Sequence, residues 1–466
     1  MRSQGERGHL RPFWPCRTLT SGDFVIRRLF SSQLRINMFS GVAVTVVNTG
    51  VLAIAYPIYL NFLGYEKYGV WLVLATVLSF AQLGDLGISQ AIMKLVAEEY
   101  GRGNIEAIQQ YVTTAIAILT TAAAAALIVI LTFRTQITSA FKLTGENAQM
   151  VLWLLPYIAS LSIYVFIVHV LNATLSGLGR MDLANWTQSA GRIAAVATAS
   201  SLLYSGRGIE SLLIGNIFSY VLVHITTIIV IRRIAHIRLL RIGNLSGRCC
   251  KRLLGFGLGL FGGSVISMLL SPFNKLMLSR YAGVSTIPVY EIAYSGSMQV
   301  RALIAVGLRA LMPEVSRIGA NMTGYARDRI AQLNYRAIKL ILLFGLPVYA
   351  GLFVFCTFLF RIWLRERFVT ALPDAFRIML IATFASLLCV PAYYTLLGLG
   401  RVTQCFYSYA IQAGANVFVV LLAIITTRSL SVMHVVWAAL IAMGMTSAYL
   451  IWQNRRAMGR LPLGAG

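Results

Sequence analysis

The amino-acid sequence predicts an all-α integral membrane protein of about twelve transmembrane helices, arranged as two parallel six-helix bundles around a central cavity. Three observations support this prediction. Hydrophobic residues make up 58% of the 466-residue chain and charged residues only 12%, whereas soluble domains carry about 25% charged residues. The apolar residues fall in long runs, and a short motif recurs about half a chain apart. A soluble fold of this size could not cover its surface with so few charges.

The long apolar runs define the predicted spans. A hydrocarbon core about 30 Å thick needs roughly 20 apolar residues per helix. Because backbone polar groups in lipid must be satisfied within the segment or in a closed barrel, runs of this length are interpreted as helices. They lie at residues 37–63, 69–96, 107–133, 149–173, 184–205, 208–232, 252–281, 286–312, 336–360, 372–398, 401–427 and 432–453.

The basic residues indicate the orientation. The formal net charge is +25, and with the N-terminus inside, most Lys and Arg residues fall in the inner tails and loops, as the positive-inside rule requires. Both termini are therefore predicted to be cytoplasmic. Attraction to anionic lipid headgroups explains these charges, so membrane lipids and not nucleic acids are the expected partners. The main inner groups are Arg27, Arg28 and Arg35, then Arg232, Arg233, Arg238, Arg241, Arg248, Lys251 and Arg252, then Arg317, Arg327, Arg329 and Arg336.

No feature of the sequence points to a soluble catalytic domain. The predicted outer loops are short, the six cysteines show no metal-ligand spacing, and no Walker A sequence is present. We therefore expect a transporter without a metal or cofactor, and not an enzyme.

An internal repeat divides the chain. Residues 174–180 (Thr-Leu-Ser-Gly-Leu-Gly-Arg) recur almost unchanged at 395–401 (Thr-Leu-Leu-Gly-Leu-Gly-Arg), and Leu63-Gly64 falls near Ala282-Gly283 at a similar offset. Six spans per repeat put corresponding helices in the same direction, which predicts a pseudo-two-fold axis along the membrane normal and a cleft for alternating access. The predicted units are a basic tail (1–36), a six-helix bundle (37–232), a basic linker (233–251), a second bundle (252–453) and a tail (454–466).

Motifs in the first two spans resemble a known family. Residues 62–71 (Phe-Leu-Gly-Tyr-Glu-Lys-Tyr-Gly-Val-Trp) and 80–91 (Phe-Ala-Gln-Leu-Gly-Asp-Leu-Gly-Ile-Ser-Gln-Ala) resemble those of Wzx-type polysaccharide exporters, members of the multidrug/oligosaccharidyl-lipid/polysaccharide (MOP) exporter superfamily. Residues 177–180, 293–294 and 311–313 fit the same pattern.

The resemblance implies a MATE- or MurJ-like fold in the cytoplasmic (inner) membrane. It implies a flippase that moves an undecaprenyl-diphosphate-linked oligosaccharide between leaflets for surface polysaccharide synthesis, with polymerase or chain-length proteins as partners. One departure is that Asn274-Lys275 stands where many relatives carry an Asp-Arg pair in span seven.

Basic residues within spans are the candidate substrate-binding groups. A charge in the membrane interior is costly, so it is expected to face a cavity or a partner. Arginine and lysine would offset the charge of a diphosphate, and arginine can bind phosphate through two parallel hydrogen bonds. The alternative is that these side chains snorkel to an interface. The candidates are Arg301, Lys275, Arg192 and Arg309.

Two acids and four prolines complete the candidate set. Asp85 and Glu291 are potential ion-coupling sites, although a structural role is equally reasonable for Asp85 and is favoured for Glu291. Prolines remove a backbone hydrogen bond and bend helices, so they could act as hinges or simply set a static shape. They interrupt corresponding spans of the two halves, at Pro57, Pro156, Pro272 and Pro391.

Three functions are compatible with this architecture. The leading hypothesis is a lipid-linked oligosaccharide flippase. A multidrug or small-molecule exporter of the same superfamily would favour an acidic, aromatic cavity, whereas the charges within the spans are mainly basic. A membrane-embedded polymerase or glycosyltransferase would need a large external loop or clustered carboxylates, and neither is apparent.

Overall fold

The structure is a computed structural model that describes residues 32–81, 87–235, 245–305, 308, 311, 315, 318 and 326–459. The first half of the chain forms α1 (Ser32–Ala81), α2 (Ile88–Gly101), α3 (Ile105–Thr132), α4 (Arg134–Ala140), α5 (Gly145–Gly177), α6 (Met181–Tyr204) and α7 (Glu210–Ala235). The second half forms α8 (Gly247–Ala282), α9 (Ile287–Ala305), α10 (Ala326–Leu340), α11 (Leu346–Leu364), α12 (Ala371–Leu388), α13 (Val390–Gly398), α14 (Val402–Thr427) and α15 (Val432–Gly459). Short 3-10 turns follow α8 and α11, and a π-helical turn joins α10 to α11.

Helices coincide with every predicted span in the described residues, which confirms the all-α membrane fold. Within the described ranges, eight segments are long and apolar enough to cross a membrane. Spans five, seven and eight correspond to α6, α8 and α9, which are not among those eight because their sequences are less apolar or more charged. Span two is shared between the end of α1 and α2.

Helix α1 contains the first predicted span and the start of the second. It runs from Ser32 to Ala81 with a single departure from helical geometry at Gly64 (φ 70°, ψ 176°). This combination of angles is essentially restricted to glycine, because a Cβ atom would clash with the backbone. The connection between predicted spans one and two (64–68) is thus a one-residue break at Gly64.

The repeated motif folds into the same helix C-terminus twice. In the first copy the Arg180 N–H donates to the Leu175 carbonyl at 3.2 Å, and Gly179 has φ 81°. In the second the Arg401 N–H donates to the Leu396 carbonyl at 2.9 Å, and Gly400 has φ 73°. Both are Schellman-type caps, in which glycine takes the left-handed position. The sequence repeat is therefore also a repeat of backbone conformation.

Three further pairs of left-handed positions recur at nearly the same offset. Gly64 corresponds to Gly283 at the turns that end α1's first span and α8, and both have positive φ with extended ψ (176° and 152°). The other two pairs end corresponding helices: Lys142 with Arg365, and Gly206 with Arg428. Non-glycine residues with positive φ are uncommon, so matching positions in both halves support duplication of a six-helix unit.

The buried core continues from one half into the other. One cluster contains residues of α1, α5 and α6 together with residues of α8, α9, α11 and α12. A second belongs to the first half but includes Cys249 and Leu253 from the start of α8. Helix α8 therefore begins against the first half and ends in the second.

An ionic cluster fixes the start of α8. The Arg252 guanidinium donates to the Tyr111 hydroxyl at 2.9 Å and pairs with Glu98 at 3.1 Å and Glu99 at 3.7 Å. Arg102 contacts the same two carboxylates at 2.8 and 2.9 Å. These residues lie at the end of the molecule that the charge pattern predicts to be cytoplasmic.

Candidate translocation site

The two halves are held together at the end that contains the Gly64 turn, which is predicted to be the outer end. Here Gly69 packs so closely on the turn after α8 that a Cβ atom would overlap the Val284 carbonyl. The Tyr65 hydroxyl donates to the Arg367 carbonyl at 2.7 Å, and the Arg367 guanidinium donates to the Asn61 carbonyl at 3.0 Å. We call this set of contacts the outer seam.

Further contacts between the two halves lie deeper along α1 than the outer seam. The Trp363 indole donates to the Ala53 carbonyl at 2.6 Å, and the Thr49 hydroxyl approaches the Gln299 side-chain oxygen at 3.4 Å. A Ser279–Phe141 hydrogen bond of 2.7 Å ties α8 to the loop after α4. The Gly69–Val284, Tyr65–Arg367 and Ser279–Phe141 contacts lie at the Gly64 end, so the structure is closed on the predicted outer side. Thr49 and Gln299 meet deeper, 15 and 16 residues along their helices from Gly64 and Gly283.

A buried ion pair lies beneath the outer seam. The Lys275 Nζ is 2.8 Å from the Glu291 Oε2, and their side chains are only 11% and 15% exposed. The Ser295 hydroxyl donates to the other carboxylate oxygen at 2.7 Å. Lys275 and Glu291 each lie eight residues from Gly283, so an antiparallel pair of helices joined at that turn brings them to the same depth.

Tyrosines from both halves surround this pair. Tyr56 and Tyr68 of α1 lie within electrostatic range of Glu291, and Tyr56 also lies beside Ser295. Tyr290 and Tyr294 of α9 stack with ring centroids 5.6 Å apart. The pair is thus enclosed by aromatic side chains that the outer seam brings together.

Asn274 adds a polar group at the same level. Its side-chain nitrogen donates to the Tyr290 hydroxyl at 3.0 Å. Its oxygen is buried and has no hydrogen-bond partner among the described residues.

Arg301 is a basic candidate whose charge remains available. Its Nε donates to the Ser386 hydroxyl of α12 at 3.0 Å, and the side chain is half-buried. It forms no ion pair with any residue in the described ranges. Ten residues separate it from Glu291, which is about 15 Å along a helix rising 1.5 Å per residue. Arg301 is therefore deeper in the molecule than the Lys275–Glu291 pair.

Arg192 lies in the first half on the other side of α1. Asn185 of α6 bonds to Ser40 of α1, and Ser189 of α6 bonds to Asn48. Arg192 lies seven residues after Asn185 and three after Ser189, so it is on the same face of α6. Its side chain is exposed, and it lies near Tyr220. Since Thr49 contacts Gln299, Arg192 and Arg301 are at similar depth on opposite sides of α1.

The other predicted residues are placed as follows. Asp85 and Arg309 lie outside the described residues. Pro57, Pro156 and Pro272 lie within continuous helices, whereas Pro391 begins α13 after a break at Cys389. Their proposed hinge motion stays a prediction.

Sequence reasoning missed several contacts of the site. Ser386, Gln299 and Trp363 carry no motif and contact their partners only because of how distant helices are rotated. The Lys275–Glu291 pair did have a detectable signal in the equal spacing of both residues from Gly283.

Comparisons with known proteins agree with this architecture. A family model described as polysaccharide biosynthesis protein matches residues 34–319, more than half of the chain. The "Putative O-antigen transporter" of Shigella flexneri is 20% identical over 343 residues, which cover 73% of this chain and 78% of that protein.

Two solved structures share the fold over most of their length. An inward-facing multidrug-resistance MATE transporter of the MOP superfamily superimposes with a TM-score of 0.72 at 14% identity, covering 92% of this chain and 98% of that one. The lipid II flippase MurJ in an inward closed conformation gives 0.71 at 16% identity, covering 90% and 87%. The chain has the transporter fold of the MOP superfamily and belongs to the polysaccharide biosynthesis protein family.

Proposed function

We propose that this protein is a flippase that moves an undecaprenyl-diphosphate-linked oligosaccharide across the cytoplasmic membrane by alternating access. The product would feed synthesis of a surface polysaccharide, alongside a polymerase or chain-length machinery. Both termini would be cytoplasmic. The observation that carries the proposal is Arg301, a half-buried arginine in the membrane interior whose charge no described carboxylate neutralises.

The charge of the substrate explains why such an arginine is needed. A diphosphate cannot cross hydrocarbon unpaired, because transfer of an isolated anion out of water is very unfavourable. A guanidinium offers several donors in a planar arrangement that fits phosphate oxygens. In Arg301 the Nε bonds to Ser386, which orients the group and leaves its terminal nitrogens for a ligand.

The conformation supports a defined step of the cycle. With the outer seam closed, the substrate would enter from the cytoplasmic side and place its diphosphate near Arg301. Arg192, on the other side of α1, stays a separate candidate for contact with the substrate. Separation of the halves at the outer seam would then expose the headgroup to the other side. The four prolines are the proposed points at which the helices flex.

A cation exporter is the second candidate, because Glu291 is a buried carboxylate among tyrosines. Such a carrier needs an acid that is free to bind its cargo. Here Lys275 neutralises Glu291 at 2.8 Å, which favours the anionic substrate.

The proposal is tested by deletion and complementation in the native host. Loss of the gene should abolish the surface polysaccharide and trap lipid-linked sugars on the inner leaflet. The wild-type gene should restore export, and Arg301→Gln should not, although the variant is present in the membrane at normal abundance.

Arg361→Gln is the matched control. Arg361 also lies in a membrane helix of the second half, but it is exposed and packs on the Phe368 ring, 5.4 Å away. This variant should export normally. Normal polysaccharide in the deletion strain, with new sensitivity to cationic drugs, would instead support the cation exporter.

A further inference from the structure

We propose that Lys275 is a second phosphate-binding position on the translocation path, and that Glu291 occupies it as an internal substitute for the substrate's anion while the outer seam is closed. This inference rests on the proposed function. It assigns to the Lys275–Glu291 pair an exchange of partners during each cycle.

The geometry of the pair fits such an exchange. A carboxylate and a phosphate are both anionic oxygen acceptors, and both form short charge-assisted hydrogen bonds with an ammonium group. Lys275 is 2.8 Å from a single Glu291 oxygen, while Ser295 bonds the other. Glu291 therefore keeps a partner of its own when Lys275 changes to another anion.

The surroundings link the pair to the opening of the outer seam. Tyr56 and Tyr68 belong to α1 of the first half, whereas Lys275 and Glu291 belong to α8 and α9. Separation of the halves would remove the tyrosines from one side of the pair and admit water and the headgroup. A partner exchange that is costly in the closed, buried site would then become feasible, because solvation reduces the energy needed to separate two charges.

Asn274 provides a second polar contact at this position. Its buried side-chain oxygen has no donor among the described residues, although its nitrogen is fixed by Tyr290. Buried acceptors are normally satisfied. An acceptor beside Lys275 is suited to a hydroxyl of the sugar next to the diphosphate.

The two basic residues lie in the order that transport requires. Arg301 lies about 15 Å further from the outer seam than Glu291, taking 1.5 Å per residue along α9. The diphosphate would bind near Arg301 from the cytoplasmic side and move to Lys275 as the outer side opens. Glu291 would afterwards recover Lys275 and so promote release of the substrate.

The experiment compares binding and flipping of one probe, a short-chain polyprenyl diphosphate ester of N-acetylglucosamine, by purified full-length variants. If the ion pair leaves Lys275 free about a tenth of the time, Glu291→Gln should tighten binding about tenfold, because apparent affinity scales with the competent fraction. Flipping by this variant should slow, because Glu291 no longer competes with the diphosphate for Lys275 and so no longer promotes release of the probe.

A double variant separates this role from a structural one. Either single variant leaves one buried charge unpaired, which destabilises the protein, so Glu291→Gln is measured only on protein that purifies folded and monodisperse, and Lys275→Met is combined with Glu291→Gln. The double variant should fold, bind the probe at least tenfold more weakly than Glu291→Gln, and flip poorly. The matched control neutralises the ion pair of half-buried Arg377 with exposed Asp374, 3.0 Å apart, and should change neither measurement.

Two results would overturn the inference while the proposed function stands. One is wild-type flipping by the double variant, which would make the pair purely structural. The other is unchanged probe affinity in Glu291→Gln. A wild-type protein that neither binds nor flips the probe would overturn the proposed function itself.

Discussion

Replacing Gly69 with alanine should shift the protein towards an outward-open conformation. Gly69 lies on α1 where it crosses the turn between α8 and α9. An added Cβ atom would overlap the carbonyl oxygen of Val284 and press against its Cγ2 atom. Because the obstacle is backbone and not the end of a flexible side chain, the halves must move apart at the outer seam.

The size of the shift follows from the cost of overpacking. Forcing one extra methyl group into a well-packed contact typically costs about 1–3 kcal/mol. This penalty applies only to the closed conformation, since the two surfaces separate in the open one. The ratio of open to closed molecules should therefore rise by about 5-fold to about 150-fold.

A distance measurement between spin labels can detect this shift. Gln136 and Ser285 are exposed positions at the outer ends of the two halves and can be changed to cysteine in a chain with Cys16 and Cys250 replaced by serine. In the reference protein a short distance should predominate. In Gly69→Ala a longer distance should gain population at its expense.

Gly351→Ala is the control for adding a methyl group to a helical glycine. Gly351 lies in α11, and a Cβ there would meet nothing within 4 Å. Its distance distribution should match that of the reference. An unchanged distribution in Gly69→Ala would refute the interpretation of the outer seam as the closed gate.

Four further substitutions test the fold and the contacts between the halves. Gly179→Ala places a Cβ atom on a residue with φ 81°, and Gly400→Ala places one on a residue with φ 73°. Each should lower the free energy of unfolding by about 1–2 kcal/mol, measured by thermal unfolding. Gly414→Ala, whose Cβ meets nothing within 4 Å, is the control and should not. A penalty at only one of the two caps would contradict their structural equivalence. Asn37→Ala removes hydrogen bonds to the Gly179 carbonyl and the Asp182 N–H, 3.0 and 3.1 Å long, and should cost about 1–3 kcal/mol. Asn216→Ala loses a bond within its own helix and should lower the free energy of unfolding by less. Equal losses of unfolding free energy in the two variants would argue against a role for Asn37 in joining α1 to α6. Trp363→Phe deletes the indole bond to Ala53 and should move the same spin-label pair outwards by less than Gly69→Ala does; an inward shift would be inconsistent with the account.

Much of the fold could be predicted from the sequence because the membrane imposes strong constraints. Each apolar run of about 20 residues had to be a helix. The two copies of the Gly-Leu-Gly-Arg motif indicated the repeat, and both form the same left-handed cap at Gly179 and Gly400. The break at Gly64 and its counterpart at Gly283 are separated by nearly the same number of residues as the two copies of the motif.

The contacts of the site were harder to predict, because they depend on how each helix is rotated about its axis. Lys275 and Glu291 were proposed for separate roles, but they form one pair since the turn at Gly283 places them at equal depth. The bonds of Arg301 to Ser386 and of Arg252 to Glu98 join residues 85 and 154 positions apart. No local pattern in a single sequence specifies such pairs.

The central claim is that the protein moves a diphosphate-linked sugar lipid across the bilayer and uses Arg301 to do so. Purified protein in liposomes loaded with a fluorescent polyprenyl diphosphate sugar provides the most direct test, read by how fast the sugar becomes accessible to an impermeant reagent. The account predicts rapid exposure with the wild type, intermediate exposure with Arg301→Lys, and exposure at the protein-free rate with Arg301→Gln. Equal rates for wild-type and protein-free liposomes, or for wild type and Arg301→Gln, would contradict it.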